Sequence, residues 1–156
     1  GPPFAGVFEA MILDDVLSSG ALPALEATIR FAGQRNRLIG HNIANVTTPN
    51  FQQKDVSPRD FQQWLAEAVD ERRAKTGGAH GELKLDNDRQ FRVQRDGGFE
   101  IEPLKSNGGV LAHDRNNRDL ELLMQDLAEN LAAYQVATDL MRSQMGTIGV
   151  AISQRV

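Results

Sequence analysis

The three histidines are the side chains best suited to acid–base or metal chemistry, and they lie far apart in the sequence, at His41, His80 and His113. None has a partner at the spacing of a metal-ligand set, and neither Gly-x-Ser-x-Gly nor His-Glu-x-x-His occurs. The 21 acidic residues could supply an acid–base pair, but the sequence singles out none of them. We therefore interpret each histidine as a polar surface or cap residue and predict no catalytic, cofactor or metal site.

Composition excludes further classes of protein. The chain has 156 residues, no cysteine and a formal net charge of -4, which rules out disulfides and gives no electrostatic footprint for nucleic acid. No apolar run approaches the roughly 20 residues that span a bilayer, and the N-terminus lacks the pattern of a cleaved signal peptide. Gly1-Pro2 is typical of the remnant that tag removal leaves, so the sequence does not decide whether residues 1 to 10 are native or added. We expect one domain without nucleic-acid binding or membrane insertion.

An apolar period predicts an N-terminal helix over residues 22–46 that ends in a sharp turn. Asn42 and Asn45 are expected to bond backbone groups that the ending helix leaves unpaired. Pro49 stops the helix, Asn50 tolerates positive φ, and Phe51 is expected to be buried beyond the turn. The apolar face, three and four residues apart, contains Leu22, Leu25, Ile29, Ala32, Asn36, Ile39, Ile43 and Val46. On this face the Asn36 amide either is buried and fixes the helix register or lies exposed at the edge.

The segments around this helix are shorter. Residues 8–18 form a weak helix that is a candidate docking element, because a segment of this length orders only against a partner. Ser57 as N-cap and Pro58 in the first turn predict a helix over 58–73, in which Phe61 and Trp64 are expected to pack rather than to bind a ligand. Alternating apolar residues at 83–85, 91–93 and 99–101 predict two or three short strands, and Asp96-Gly97-Gly98 predicts a hairpin turn between the last two.

The longest apolar period predicts a C-terminal helix over residues 117–153. Asn116 or Asn117 is expected to cap it, with Asp119 in its first turn. The predicted helix is longer than the N-terminal one, so an antiparallel pair within one chain cannot bury its whole apolar seam. We expect residues 8–18 or another subunit to cover the remainder. The seam consists of Leu120, Met124, Leu127, Leu131, Tyr134, Thr138, Met141, Met145, Ile148 and Ile152.

The end of the N-terminal helix reads Asn42-Ile43-Ala44-Asn45, two residues, Thr48-Pro49, one residue and the aromatic Phe51. This motif resembles the signature of bacterial flagellar rod and hook proteins. The family usually has glycine where this chain has Asn50, a departure that still suits a left-handed turn. The resemblance covers about residues 22–56 and 117–153. In the C-terminal helix, Asp119-Leu120, Ala128-Glu129-Asn130 and Tyr134-Gln135 resemble the proximal-rod branch, whereas the Arg-Ala-Tyr run of hook and distal-rod proteins is absent.

The expected fold is mainly α, with long N- and C-terminal helices packed as a coiled-coil-like pair, a short helix and an irregular or small β middle segment. One structural domain then divides into a flexible N-terminal segment (1–21), the N-terminal helix and turn (22–56), a variable middle segment (57–116) and the C-terminal helix (117–156).

The resemblance implies a structural subunit of the proximal rod in the flagellar basal body. It implies other rod subunits and basal-body components as partners, and export to the periplasmic rod through the flagellar type III apparatus without a cleaved signal peptide. The alternative is a soluble helical adaptor or export chaperone that binds a partner helix along the same seam. Concentration-dependent polymerisation would favour the rod, and a stable one-to-one heterodimer would favour the adaptor.

Overall fold

The computed structural model describes residues 21–77, 82–105 and 113–153, with side chains over 21–77, 82–105 and 119–146. Within these ranges the chain forms the helices α1 (Ala21–Ala44), α2 (Pro58–Thr76) and α3 (His113–Ser153). It also forms the short strands β1 (Lys54–Asp55), β2 (Phe91–Val93), β3 (Phe99–Ile101) and β4 (Leu104–Lys105). The prediction of a mainly α fold with long terminal helices and a small β middle is confirmed. The helix predicted over 8–18 lies outside the described residues.

Helices α1 and α3 pack antiparallel against each other. Leu25, near the start of α1, lies with Ala137, whereas Arg35, nearer its end, faces Asp126. The contact face of α1 repeats every four and three residues and is buried at Ala21, Leu25, Thr28, Ala32, Arg35, Ile39 and Asn42. At about 1.5 Å per residue, the 24 residues of α1 span about 36 Å and the 41 residues of α3 about 60 Å, so α3 is the longer member of the pair.

The buried face of α1 is turned slightly from the predicted one. Both faces share Leu25, Ala32 and Ile39, which are buried. The other predicted positions are only half-buried: Leu22, Ile29, Asn36, Ile43 and Val46. Asn36 therefore is neither a fully buried amide nor an exposed one, and its Oδ1 has no hydrogen-bond partner among the described residues.

Helix α3 begins earlier than the sequence predicts. It starts at His113, so Asn116 and Asn117 lie inside the helix and the prediction that one of them caps it is wrong. The residues between His113 and Asp119 include neither proline nor glycine, so nothing in the sequence prevents one further turn at this end. The predicted end near 153 agrees with the observed end at Ser153.

Local signals place α2 where it was predicted, over 58–73, and it continues for three more residues to Thr76. The Ser57 hydroxyl accepts a hydrogen bond from the Asp60 N–H at 3.2 Å, and Pro58 occupies the first turn. Gly77 closes the helix with φ 72° and donates its N–H to the Arg73 carbonyl at 2.9 Å.

The predicted hairpin forms between β2 and β3, with Phe91 opposite Ile101 and Val93 opposite Phe99. Gly97 supplies the positive φ, 87°, that its turn requires. Residues 83–85 do not form the third strand; Leu83 and Leu85 instead pack, partly buried, against the core. The strands β1 and β4 pair antiparallel, with Asp55 opposite Leu104. This pairing was not predicted, because two residues are too few to show the alternation of apolar and polar side chains that marks a strand.

Five aromatic side chains join α1, α2 and the hairpin into one core. Phe31 stacks on Phe61 with ring centroids 4.1 Å apart, and Trp64 stacks on Phe91 at 4.7 Å. The Trp64 indole N–H donates to the Asp86 carbonyl at 2.8 Å, and Phe99 completes the cluster. The predicted packing role of Phe61 and Trp64 is confirmed, because both are buried. The middle segment is thus tied to α1.

Candidate functional site

The family motif forms the corner at which the chain leaves α1. Asn45 closes the helix end, since its Nδ2 donates to the His41 carbonyl at 2.9 Å and its Oδ1 accepts from the Thr48 hydroxyl at 3.2 Å. The Thr48 carbonyl accepts from the Phe51 N–H at 3.2 Å, with Pro49 and Asn50 between them. Asn50 has φ 62°, as the third position of a type II turn requires. This geometry agrees with the predicted left-handed turn and explains how asparagine can occupy a position where the proteins that the motif resembles usually have glycine.

Asn42 acts at longer range than the sequence predicts. It is 2 % exposed and bonds a residue twelve positions further along the chain. Its Nδ2 donates to the Lys54 carbonyl at 2.7 Å, and its Oδ1 accepts from the Lys54 N–H at 3.4 Å. One side-chain amide thereby pairs with both backbone groups of Lys54, as a neighbouring strand would, and holds β1 against α1.

Phe51 is half-buried, so the prediction that it is buried beyond the turn is wrong. Its ring meets the edge of His41 with centroids 5.4 Å apart, at an exposed corner. Residues 47–50, which form the turn before it, are exposed as well. Of the remaining motif residues, Ile43 is half-buried and Ala44 is exposed.

A charged joint connects α1, β1 and α3. Arg35 is 3 % exposed, and its Nε and Nη2 donate to the two carboxylate oxygens of Asp55, each at 3.2 Å. The Asp126 carboxylate lies 3.9 Å from Nη2. Burial raises the pKa of Asp126, Arg35 opposes this shift, and the nearby Asp55 and Glu129 carboxylates add to it. The buried Arg35 guanidinium thus faces one carboxylate from β1 and one from α3, and these contacts fix the positions of β1 and α3 relative to α1.

The described residues bring together no group of three or more histidine, cysteine and acidic side chains that could hold a metal ion. Of the predicted histidines, His41 is exposed, His80 lies outside the described residues, and His113 opens α3. In the same part of the chain, no helix is both long and apolar enough to cross a bilayer.

The face of α3 that contacts α1 is made largely of small and polar residues. Its buried positions are Leu123, Asn130, Ala133 and Ala137. The Asn130 Nδ2 donates to the Ala32 carbonyl at 2.7 Å, an interhelical hydrogen bond that fixes the register of the two helices. A buried amide was one of the two alternatives for Asn36, and in the structure Asn130 of α3 supplies such an amide.

The predicted seam of α3 lies beside this face and points mainly outward, so most of it does not pack against α1; Met141, which packs on the cluster of Ala21, Leu25 and Ala137, is an exception. Leu120 is 36 % exposed, Met124 52 %, Leu131 47 %, Tyr134 41 % and Met145 59 %. Leu127, Thr138 and Met141 are half-buried, and the side chains of Ile148 and Ile152 lie outside the described residues. We call the eight described positions, 120, 124, 127, 131, 134, 138, 141 and 145, the outer stripe. Leu122, 50 % exposed, lies outside the predicted seam and was missed.

Polar partners and small side chains together explain why α3 contacts α1 through this face and not through the predicted seam. Arg35, Thr28 and Asn42 put polar groups on the buried face of α1, and Asp126 and Asn130 supply partners for Arg35 and for the α1 backbone. The outer stripe offers Arg35 no charged partner, and its bulky side chains would hold the helices further apart. Two overlapping stripes therefore run along α3, one used within the chain and one left at the surface.

Comparison with known proteins gives relatives along most of the chain. The flagellar basal body rod protein FlgB of Bacillus subtilis (strain 168) is 28 % identical over 138 residues, covering 88 % of this chain and 96 % of the relative. FlgB of Proteus mirabilis (strain HI4320) is 26 % identical over 141 residues, covering 85 % and 98 %. FlgB of Salmonella typhimurium (strain LT2) is 27 % identical over 131 residues, covering 80 % and 91 %.

No protein-family model matches the chain, and no solved structure does. The relatives nevertheless cover 80 to 88 % of this chain, and their names agree with the family that the motif and α3 resemble. The chain is thus similar over most of its length to FlgB-type flagellar basal-body rod proteins.

Proposed function

We propose that the chain is a non-catalytic structural subunit of the proximal rod, and that it assembles by packing the outer stripe of α3 against the terminal helices of neighbouring rod subunits. The observation that carries this proposal is the exposure of five large apolar side chains on one helix face. They are 36 to 59 % exposed and occupy five of the eight positions that follow the four-and-three spacing of a coiled-coil seam from Leu120 to Met145. A contiguous apolar face of this kind marks an interaction surface.

The size of the stripe suits a cooperative assembly. Burying a large apolar side chain completely stabilises by about 1.5 to 3 kcal/mol, so burying the exposed half of five side chains contributes about 5 kcal/mol. Association itself costs at least about 4 kcal/mol, so one such contact makes a weak pair. Several contacts per subunit, repeated without closing, give a stable filament, which is the geometry that a rod needs.

Similarity to the FlgB relatives supports two further parts of the proposal. We place the subunit in the periplasmic rod and propose that the flagellar type III apparatus exports it without a cleaved signal peptide. Other rod subunits and basal-body components are its lasting partners, and the export apparatus is a transient one.

A pair of neighbouring substitutions tests the assembly surface. Leu131→Asp puts a charge into the outer stripe, whereas Ala132→Asp puts the same charge on the adjacent exposed position outside it. Both sites are exposed in the single chain, so both variants should keep the helical circular dichroism and the unfolding midpoint of the parent. In a strain lacking the parent gene, we expect Ala132→Asp to restore rods in isolated basal bodies and Leu131→Asp to fail, because an unpaired charge in a closed apolar seam costs several kcal/mol.

Ile148→Asp extends the test to the end of α3, where the predicted seam continues past α1. Rod assembly by Leu131→Asp at the parent's level would refute the outer stripe as the contact surface. A stable one-to-one heterodimer that never polymerises would favour the adaptor function instead.

A further inference from the structure

Two of the four methionines lie in the outer stripe with their side chains exposed. Met124 is 52 % exposed and Met145 is 59 % exposed. Met141 is only partly buried but packs against the cluster formed by Ala21, Leu25 and Ala137. Met11 lies outside the described residues. The thioethers of Met124 and Met145 are therefore open to small oxidants in the single chain.

Both exposed methionines share one position of the heptad with Leu131, which lies between them. At 1.5 Å per residue, their Cα atoms are about 31 Å apart along the helix axis. A neighbouring helix that covers the stripe has to bury both sulfur atoms. The contact face toward α1, in contrast, uses neither of them.

We propose that Met124 and Met145 are oxidation sites through which peroxides control assembly of the subunit. The inference rests on the assembly surface proposed above. The sulfur lone pair attacks one peroxide oxygen, the O–O bond breaks and an S–O bond forms. Sulfur loses two electrons, the peroxide is reduced by two electrons, and the departing hydroxide takes up the proton that the newly bonded S–OH group releases, leaving as water. Each thioether becomes a polar sulfoxide, which methionine sulfoxide reductases return to the thioether.

The consequence differs between the free and the assembled subunit. A sulfoxide oxygen on the exposed stripe stays hydrated, so the oxidised single chain keeps its fold. In the closed seam the same oxygen loses water without gaining a partner, which disfavours assembly. Assembly in turn covers both sulfur atoms and protects them. Oxidation thus acts on the subunit before it is incorporated and spares the finished rod.

The test uses the purified full-length chain and hydrogen peroxide as the probe. Peptide mass mapping follows the oxidation of each methionine, and sedimentation velocity over a concentration series measures polymerisation before and after treatment. The matched control is the double variant Met124→Leu/Met145→Leu, which keeps the stripe apolar and removes both sulfur atoms. Circular dichroism checks that the oxidised chain remains folded.

We expect Met124 and Met145 to oxidise faster than Met141 in the free chain. The oxidised parent should need at least about tenfold more protein to polymerise, and treatment with both stereospecific reductases should restore the original value. The double variant should polymerise equally with and without peroxide. Unchanged polymerisation of a parent that carries both sulfoxides would overturn the inference and leave the proposed function standing. Failure of the untreated parent to polymerise at any concentration would overturn both.

Discussion

Asn42→Ala tests the contact that returns the chain to α1 after the motif corner. In the parent, the Asn42 amide donates to the Lys54 carbonyl at 2.7 Å and accepts from the Lys54 N–H at 3.4 Å, while the side chain is almost fully buried. Alanine removes both hydrogen bonds and fills less space. The neighbouring residue of the same motif, Asn45, provides a matched control, because its amide bonds the exposed end of α1.

The two variants should differ clearly in magnitude. A hydrogen bond contributes about 0.5 to 1.5 kcal/mol, and a buried group left without its partner costs about 1 to 3 kcal/mol. The Lys54 side chain is exposed, so water reaches part of this backbone and the lower half of that range applies. We expect Asn42→Ala to lower the free energy of unfolding by about 2 kcal/mol and Asn45→Ala by about 0.5 to 1 kcal/mol.

Thermal and denaturant unfolding measure the difference. For a chain of this length, about 2 kcal/mol lowers the melting temperature by roughly 4 to 8 °C. Asn42→Asp should be at least as damaging at neutral pH, because it loses the donor and adds a carboxylate beside Asp55, Asp119 and Asp126 around the same small cavity. Equal melting temperatures for Asn42→Ala and Asn45→Ala would refute the account of Asn42 as the contact that holds β1.

Three further changes follow from the corner and the charged joint. Asn50→Gly should stay within about 0.5 kcal/mol of the parent and Asn50→Val should cost about 1 to 2 kcal/mol or more, because φ is 62°; equal unfolding midpoints would contradict the left-handed turn. Phe51→Ala should cost about 1 to 2 kcal/mol, less than the 3 to 5 kcal/mol of a core phenylalanine, and a loss in the core range would show that the ring is fully buried in solution. The raised pKa of Asp126 means that its stabilising contribution is complete below its ordinary value of 3.8 and is lost as the pH rises through its value in the folded chain. The free energy of unfolding of Asp126→Asn should therefore equal that of the parent at low pH and exceed it increasingly as the pH rises. Unfolding midpoints of the two proteins that change in parallel from acid to neutral pH would contradict burial as the cause of the raised pKa.

Features encoded by neighbouring residues were predictable. Ser57 and Pro58 specify the start of α2, and Gly97 specifies the hairpin turn, because capping and positive φ are decided within a few residues. The Asn50 turn was predicted for the same reason, even though asparagine replaces the family's glycine.

Features that depend on distant partners were not predictable. The apolar period located a stripe on α3, but a period does not show whether the helix that covers the stripe belongs to the same chain. The period was traced through large apolar side chains and therefore did not include Asn130 and Ala133, which form the buried face. The pairings of Asn42 with Lys54 and of Arg35 with Asp55 join segments whose approach is set by the corner between them. Burial of a polar residue carries no signal in the sequence until its partner is known.

The central claim is that the outer stripe is covered in the rod, and thiol protection measures this directly. The chain has no cysteine, so Leu131→Cys introduces a single reporter that keeps a small apolar side chain in the stripe, and Ala132→Cys provides the neighbouring reference. Alkylation rates are compared between the purified single chain and isolated basal bodies. We predict that Leu131→Cys reacts readily in the single chain and becomes protected in the rod to a greater degree than Ala132→Cys; reaction of Leu131→Cys at the same rate in both states would contradict assembly through α3.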